Sequence, residues 1–112
     1  MTANWSVRFS TKAGRQYERL RKNGLRPSIN DTIDLLVLEL KSDGPERFDW
    51  PNYDKLSETT RHCHLKKGRP TYVACWAVLN DELKQIEIYY VGTHEGAPYW
   101  KIQLYCCKGG NA

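Results

Sequence analysis

A chain of 112 residues has room for one hydrophobic core, and its 40% hydrophobic and 27% charged residues exclude a disordered chain, while no apolar run is long enough to span a bilayer. Net charge is +4, from 17 basic and 13 acidic residues. The charge is unevenly spread: Arg8, Lys12, Arg15, Arg19, Arg21, Lys22 and Arg26 stand against Glu18, Lys66-Lys67-Gly68-Arg69 carries no acid, and acids gather from Asp31 to Glu58. This split suggests a polyanionic or acidic partner. The start, Met1-Thr2-Ala3-Asn4-Trp5, lacks the basic and apolar regions of a signal peptide, so a cytoplasmic address is expected.

Trp5, Val7 and Phe9 alternate with polar residues as in a half-buried strand. Ser10 or Thr11 then offers a helix cap, Ala13, Tyr17 and Leu20 recur at helical spacing, and Gly24 supplies a stop. A second helix is expected from Pro27-Ser28, with Ser28 as its cap and Ile29, Ile33, Leu36 and Leu40 as its core stripe, ended by Gly44-Pro45. From Glu46 to Thr60 the pattern predicts a long loop that packs through Phe48, Trp50, Tyr53 and Leu56. Three strands are expected next, about Arg61 to Lys66, Thr71 to Leu79 and Leu83 to Val91, joined by turns at Lys67-Gly68-Arg69-Pro70 and Asn80-Asp81. The middle strand carries no charge and should be buried on both faces. The expected architecture is therefore one α+β domain over residues 1–112 in the order β-α-α-β-β-β: a twisted, mainly antiparallel sheet with a helical hairpin on one face, and residues 101–112 as a tail.

The chemistry-bearing residues lie mostly in the second half. Strand alternation puts His62 and His64 on one side, and His94, in Gly92-Thr93-His94-Glu95-Gly96, comes just past the last strand, where a hairpin-linked neighbour can bring it near them. Imidazoles titrate near neutral pH, so such a group can both give and take a proton. Lys66, Lys67 and Arg69 suit phosphate, or are a solvated hairpin tip. No metal is expected, since no Cys or Asp completes a ligand set and the surrounding charge is positive. Cys63 and Cys75 read as buried, reduced thiols, and Cys106-Cys107 has no C-x-x-C spacing. Tyr99, past the Gly96 and Pro98 break, is a candidate stacking platform for a base, whereas Tyr89 and Tyr90 read as packing residues. Arg15, Arg19 and Lys22 share one helix face.

Arg61-His62-Cys63-His64-Leu65, a buried strand, a turn, another strand and Gly92-Thr93-His94 together resemble the RelE/ParE toxin superfamily, and within it the YafQ-like branch. The resemblance covers about Trp5 to Tyr99 and is specific from Arg61 to Tyr99. It implies a RelE-like fold and the toxin of a toxin-antitoxin pair: a ribosome-dependent, metal-free endoribonuclease (mRNA interferase) without cofactors, held inactive by a cognate antitoxin. Two histidines functional in that branch match His64 and His94, and its following aromatic has Tyr99 as nearest equivalent. This chain departs from the branch at His62, where an acid is usual, at the basic Lys66-Lys67 turn, and at Trp50-Pro51, which replace a loop histidine. The expected reaction is attack of an RNA 2′-OH on the adjacent phosphate, with His64 and His94 as acid and base in either order, His62 and Arg61 in second rank, and Lys66, Lys67 and Arg69 on phosphate. The basic face of Arg15, Arg19 and Lys22 is expected to meet ribosomal RNA or the antitoxin. Two alternatives remain, a ParE-like gyrase-binding toxin without nuclease activity and a decayed member that only binds an antitoxin.

Overall fold

The computed structural model describes residues 4–23, 27–66 and 71–97. Strand β1 (Ser6–Phe9) leads into helix α1 (Thr11–Asn23). The turn between them is fixed by Ser10, whose Oγ accepts the Ala13 N–H at 3.0 Å, the N-cap bond that satisfies one of the helix's unpaired amides. Helix α2 (Pro27–Asp43) starts at Pro27, so Ser28 lies within the first turn instead of capping it. Proline suits that first position, where its fixed φ is already helical and its missing N–H would have no partner. Ile29, Ile33, Leu36 and Leu40 are each at most 1% exposed, and burial of such a side chain contributes about 1.5–3 kcal/mol. Tyr17 Oη donates to Asp34 Oδ1 at 2.6 Å and ties the two helices together. Gly44 closes α2 at φ 95°, its N–H on the Leu40 carbonyl at 3.0 Å. A Cβ there would lie 2.9 Å from Trp5 Nε1.

The stretch after α2 is stitched down by polar contacts. Glu39 accepts from Arg47 Nη1 (2.9 Å) and Trp50 Nε1 (2.8 Å), Tyr53 Oη donates to Glu46, and Trp76 Nε1 donates to the Pro45 carbonyl at 3.1 Å. Trp50 and Tyr53 pack against the core as expected, but Phe48 is 79% exposed and reaches only the edge of Tyr53. Within this stretch Asp54–Lys55 forms a short strand, β2, that adds an element to the expected order. Strands β3 (Thr60–Lys66), β4 (Tyr72–Asn80) and β5 (Gln85–Thr93) complete a five-stranded sheet in the order β1-β5-β4-β3-β2. Only the β1–β5 pairing is parallel among these. The fold is thus α+β, two helices packed on a mixed sheet. No helix among the described residues is long and apolar enough to cross a membrane.

Two differences from the expected strands have simple causes. Strand β5 starts at Gln85, because residues 81–84 form a turn with Lys84 at φ 55° and Leu83 66% exposed. Strand β4 is buried on both faces from Val73 to Ala77, yet Leu79 is 40% exposed near its end. The helix side of the sheet holds one cluster, in which Cys63, Leu65, Ala74, Trp76, Ile86, Ile88 and Val91 meet the α2 stripe. A second cluster, Val73, Cys75, Ala77, Tyr89, Tyr90 and Ala97, occupies the other side. Cys75 pairs with Tyr90 but Trp76 pairs with Ile88, so Tyr89 is a bulge residue, and two consecutive tyrosines share one face.

Candidate active site

The side of the sheet away from the helices carries the histidines. Alternation along β3 sends Cys63 and Leu65 to the core and His62 and His64 to the opposite face, across from Cys75 and Val73. On its other flank His62 pairs with Asp54 of β2, and the His64 N–H donates to the Pro51 carbonyl at 2.8 Å. His94 follows β5, with its N–H on the Thr71 carbonyl at 2.8 Å. The three imidazoles form a row: His62 and His64 have ring centroids 6.0 Å apart at 58°, and His64 and His94 5.6 Å apart at 70°. Exposure rises along the row from buried His62 through half-buried His64 to exposed His94. The grouping expected from strand alternation and the hairpin is therefore present.

Position along the row sets the chemistry. Burial is the main cause that holds the His62 imidazole below its ordinary value of 6.5, neighbouring His64 and His94 push the same way, and Asp54 opposes them. His62 is thus held in its neutral form while His64 and His94 lie nearer to solvent. Among the described residues no three His, Cys, Asp or Glu side chains come together in an arrangement that holds a metal ion. Cys63 and Cys75 are buried free thiols, and burial pushes Cys75 up to about 12, with neighbouring Tyr89 acting the other way.

Arg61 does not join the histidines. The alternation that brings His62 to one face turns Arg61 to the other, where it is 5% exposed. There Nη2 lies 2.9 Å from Glu46 Oε2, and Nη1 donates to the carbonyls of Ser57 (3.2 Å), Glu58 (3.0 Å) and Thr60 (3.3 Å). That guanidinium anchors the loop before β3, and the Arg61 bond is the main cause that holds Glu46 below the usual carboxylate range. Lys66 ends β3 opposite Tyr72, and its side chain, like Lys67, Arg69 and Tyr99, lies outside the described residues. On α1, Arg15, Arg19 and Lys22 are exposed and line a shallow groove with Thr11, Gly14 and Glu18, as the helical spacing implies.

Two features of the site were not read from the sequence. Asp54 sits in what looks like loop, and only its pairing with β3 brings it beside His62. The other is the turn that carries His94: the Gly96 N–H reaches the Thr93 carbonyl and the Ala97 N–H the His94 carbonyl, each at 3.2 Å, while Tyr90 Oη donates to the Thr93 carbonyl at 2.7 Å. Glycines at 92 and 96 flanking Thr93-His94 were the available signal.

No protein-family model and no curated protein matches this chain. Solved structures do. The YoeB dimer from Staphylococcus aureus aligns with a TM-score of 0.63 at 17% identity, over 82% of this chain and 99% of that one. A metal-bound toxin from Helicobacter pylori gives 0.58 at 20% identity, over 81% and 96%. The solution structure of the conserved hypothetical protein HP0894 from Helicobacter pylori gives 0.51 at 17% identity, also over 81% and 96%. At these identities the likeness is one of fold, and at that level it agrees with the RelE/ParE resemblance read from the sequence.

Proposed function

We propose, with the toxin fold as premise, that this chain is the toxin of a toxin-antitoxin pair and acts as a metal-independent endoribonuclease on ribosome-bound mRNA. The row of His62, His64 and His94 on the face away from the helices carries this reading. Two neighbouring imidazoles can carry a concerted proton exchange, one accepting a proton and the other donating one. One takes the 2′-OH proton as the 2′ oxygen bonds to phosphorus, and the other protonates the 5′ oxygen as its bond to phosphorus breaks, leaving a cyclic phosphate and a free 5′-OH. His64 and His94 take these roles, and neutral His62 supports His64 from the buried end. Lys66, Lys67 and Arg69 balance charge on the non-bridging oxygens, and Tyr99 stacks on a base. Arg61, committed to Glu46, is left out.

The exposed Arg15, Arg19 and Lys22 face provides sequence-independent attraction to ribosomal RNA, and offers a cognate antitoxin a basic surface to cover. Reversing all three to Glu separates these uses, according to whether ribosome binding or antitoxin binding is lost.

The deciding experiment compares purified protein on mRNA with and without ribosomes, on the equivalent DNA, and in a gyrase supercoiling assay. Cuts inside reading frames only when ribosomes are present, with DNA inert and gyrase unaffected, are expected. Inhibited gyrase with intact mRNA would replace this reading with the ParE-like one, and activity lost to a chelator and restored by zinc would end the metal-free mechanism.

A further inference from the structure

We infer that Tyr90 is a positioning residue for His94, and that Gly92 and Gly96 are glycines because a side chain at either place would displace the Tyr90 hydroxyl. The consequence for rate rests on the endoribonuclease reading, whereas the geometry does not. Tyr90 is 6% exposed and packs among Val73, Cys75 and Ala97 on the histidine side of the sheet. Its hydroxyl donates to the Thr93 carbonyl at 2.7 Å. That carbonyl and the His94 N–H belong to one planar peptide unit. The N–H end is held by the Thr71 carbonyl at 2.8 Å. The peptide that enters His94 is thus gripped at both ends, by the backbone of Thr71 just ahead of β4 and by a buried phenol. Since a peptide plane rotates as a unit, any turn of the His94 Cα–Cβ direction through this linkage must break one of the two bonds.

The space around the hydroxyl is reserved for it. A Cβ on Gly92 would lie 2.7 Å from Tyr90 Oη, and one on Gly96 would lie 2.8 Å from it. Positive φ is not the reason for glycine here, since Gly44 is the glycine with positive φ among the described residues. An added methyl therefore acts on the far end of the tyrosine and pushes the hydroxyl off Thr93. At Gly96 the other near atoms are Thr93 Oγ1 at 3.3 Å and the Thr93 carbonyl oxygen at 3.8 Å, so the Tyr90 hydroxyl is the principal obstacle. Burial raises the Tyr90 phenol above its ordinary value, so it remains a donor at neutral pH.

The test is a cycle of Tyr90→Phe, Gly96→Ala and the double variant. Each single change should lower single-turnover cleavage about tenfold, as expected for a misplaced catalytic group, with KM unchanged. The double should be no worse than Tyr90→Phe alone, because phenylalanine has no oxygen for the new methyl to meet. Amide hydrogen exchange at His94, whose N–H is held by the Thr71 carbonyl, reads the same lock without any substrate, and should quicken in all three variants. Losses that add in the double, or exchange unchanged in Tyr90→Phe, would overturn the inference. Should the parent protein cut no RNA, the functional reading fails while the exchange data still decide whether the lock exists.

Discussion

On one side of the sheet Cys63, Leu65, Trp76, Ile86 and Ile88 close against Ile29, Ile33, Leu36 and Leu40 of α2 in an apolar core. On the other side the same strands present His62, His64 and, past β5, His94, with Tyr89 and Tyr90 packed beside them. Strand β3 serves both sides at once. Residues one step apart therefore have unrelated tasks: Arg61 locks a loop through Glu46, and His62 begins the histidine row. The difference teaches that along β3 stability and chemistry are divided by the parity of a residue number, so they should respond to mutation separately.

The largest expected effect breaks the helix side. Leu36→Ala, at a position with no exposure, should cost roughly 2–5 kcal/mol in denaturant unfolding, with cleavage per folded molecule unchanged. On the histidine side the pattern should invert. His64→Ala and His94→Ala should each reduce single-turnover cleavage by about 10²-fold, with unfolding free energy within about 1 kcal/mol of the parent. Full toxicity of both variants in cells would remove the histidine row from the chemistry.

Arg61→Ala tests the boundary between the sides. Loss of its ion pair and three carbonyl bonds should lower stability by roughly 2–3 kcal/mol, below the cost of breaking a fully enclosed pair because the Glu46 side chain is 41% exposed and water can replace its partner. RNA affinity should not move. A fall in affinity with stability intact would return Arg61 to the phosphate.

The smallest effect is a slope. With its folded value below 6.5, His62 binds a proton more readily when unfolded. Its contribution is therefore complete above that pH and is lost as pH falls through the unfolded value towards the folded one. His62→Gln should flatten this part of the stability–pH curve, and an unchanged slope would mean that His62 is not held neutral by the fold.

Much of this division was legible beforehand. The α2 stripe follows from apolar residues at helical spacing, and the shared face of His62 and His64 from strand alternation, both local patterns. What stayed hidden depends on distant partners. Arg61 reads as a site residue until Glu46, far back in the chain, is found beside it. Asp54 cannot announce itself, because β2 is two residues long and so has no period. Tyr90 reads as core packing because its hydroxyl's partner, Thr93, is revealed by the turn and not by the strand.

The bulge at Tyr89 bears on how this chain should be compared with others of its fold. Counting by twos from Ile86 and Ile88 leads to Tyr90, Gly92 and His94, and would assign all three to the helix side; the extra residue reverses the phase, so Val91 continues the core instead. A protein whose corresponding strand lacks the bulge would reach the same spatial position one residue sooner. At identities of 17–20%, matched letters cannot locate such a gap. Placing it at Tyr89 keeps His94 in phase with the histidine face, and placing it beyond His94 would equate His94 with a residue from the wrong side of the sheet.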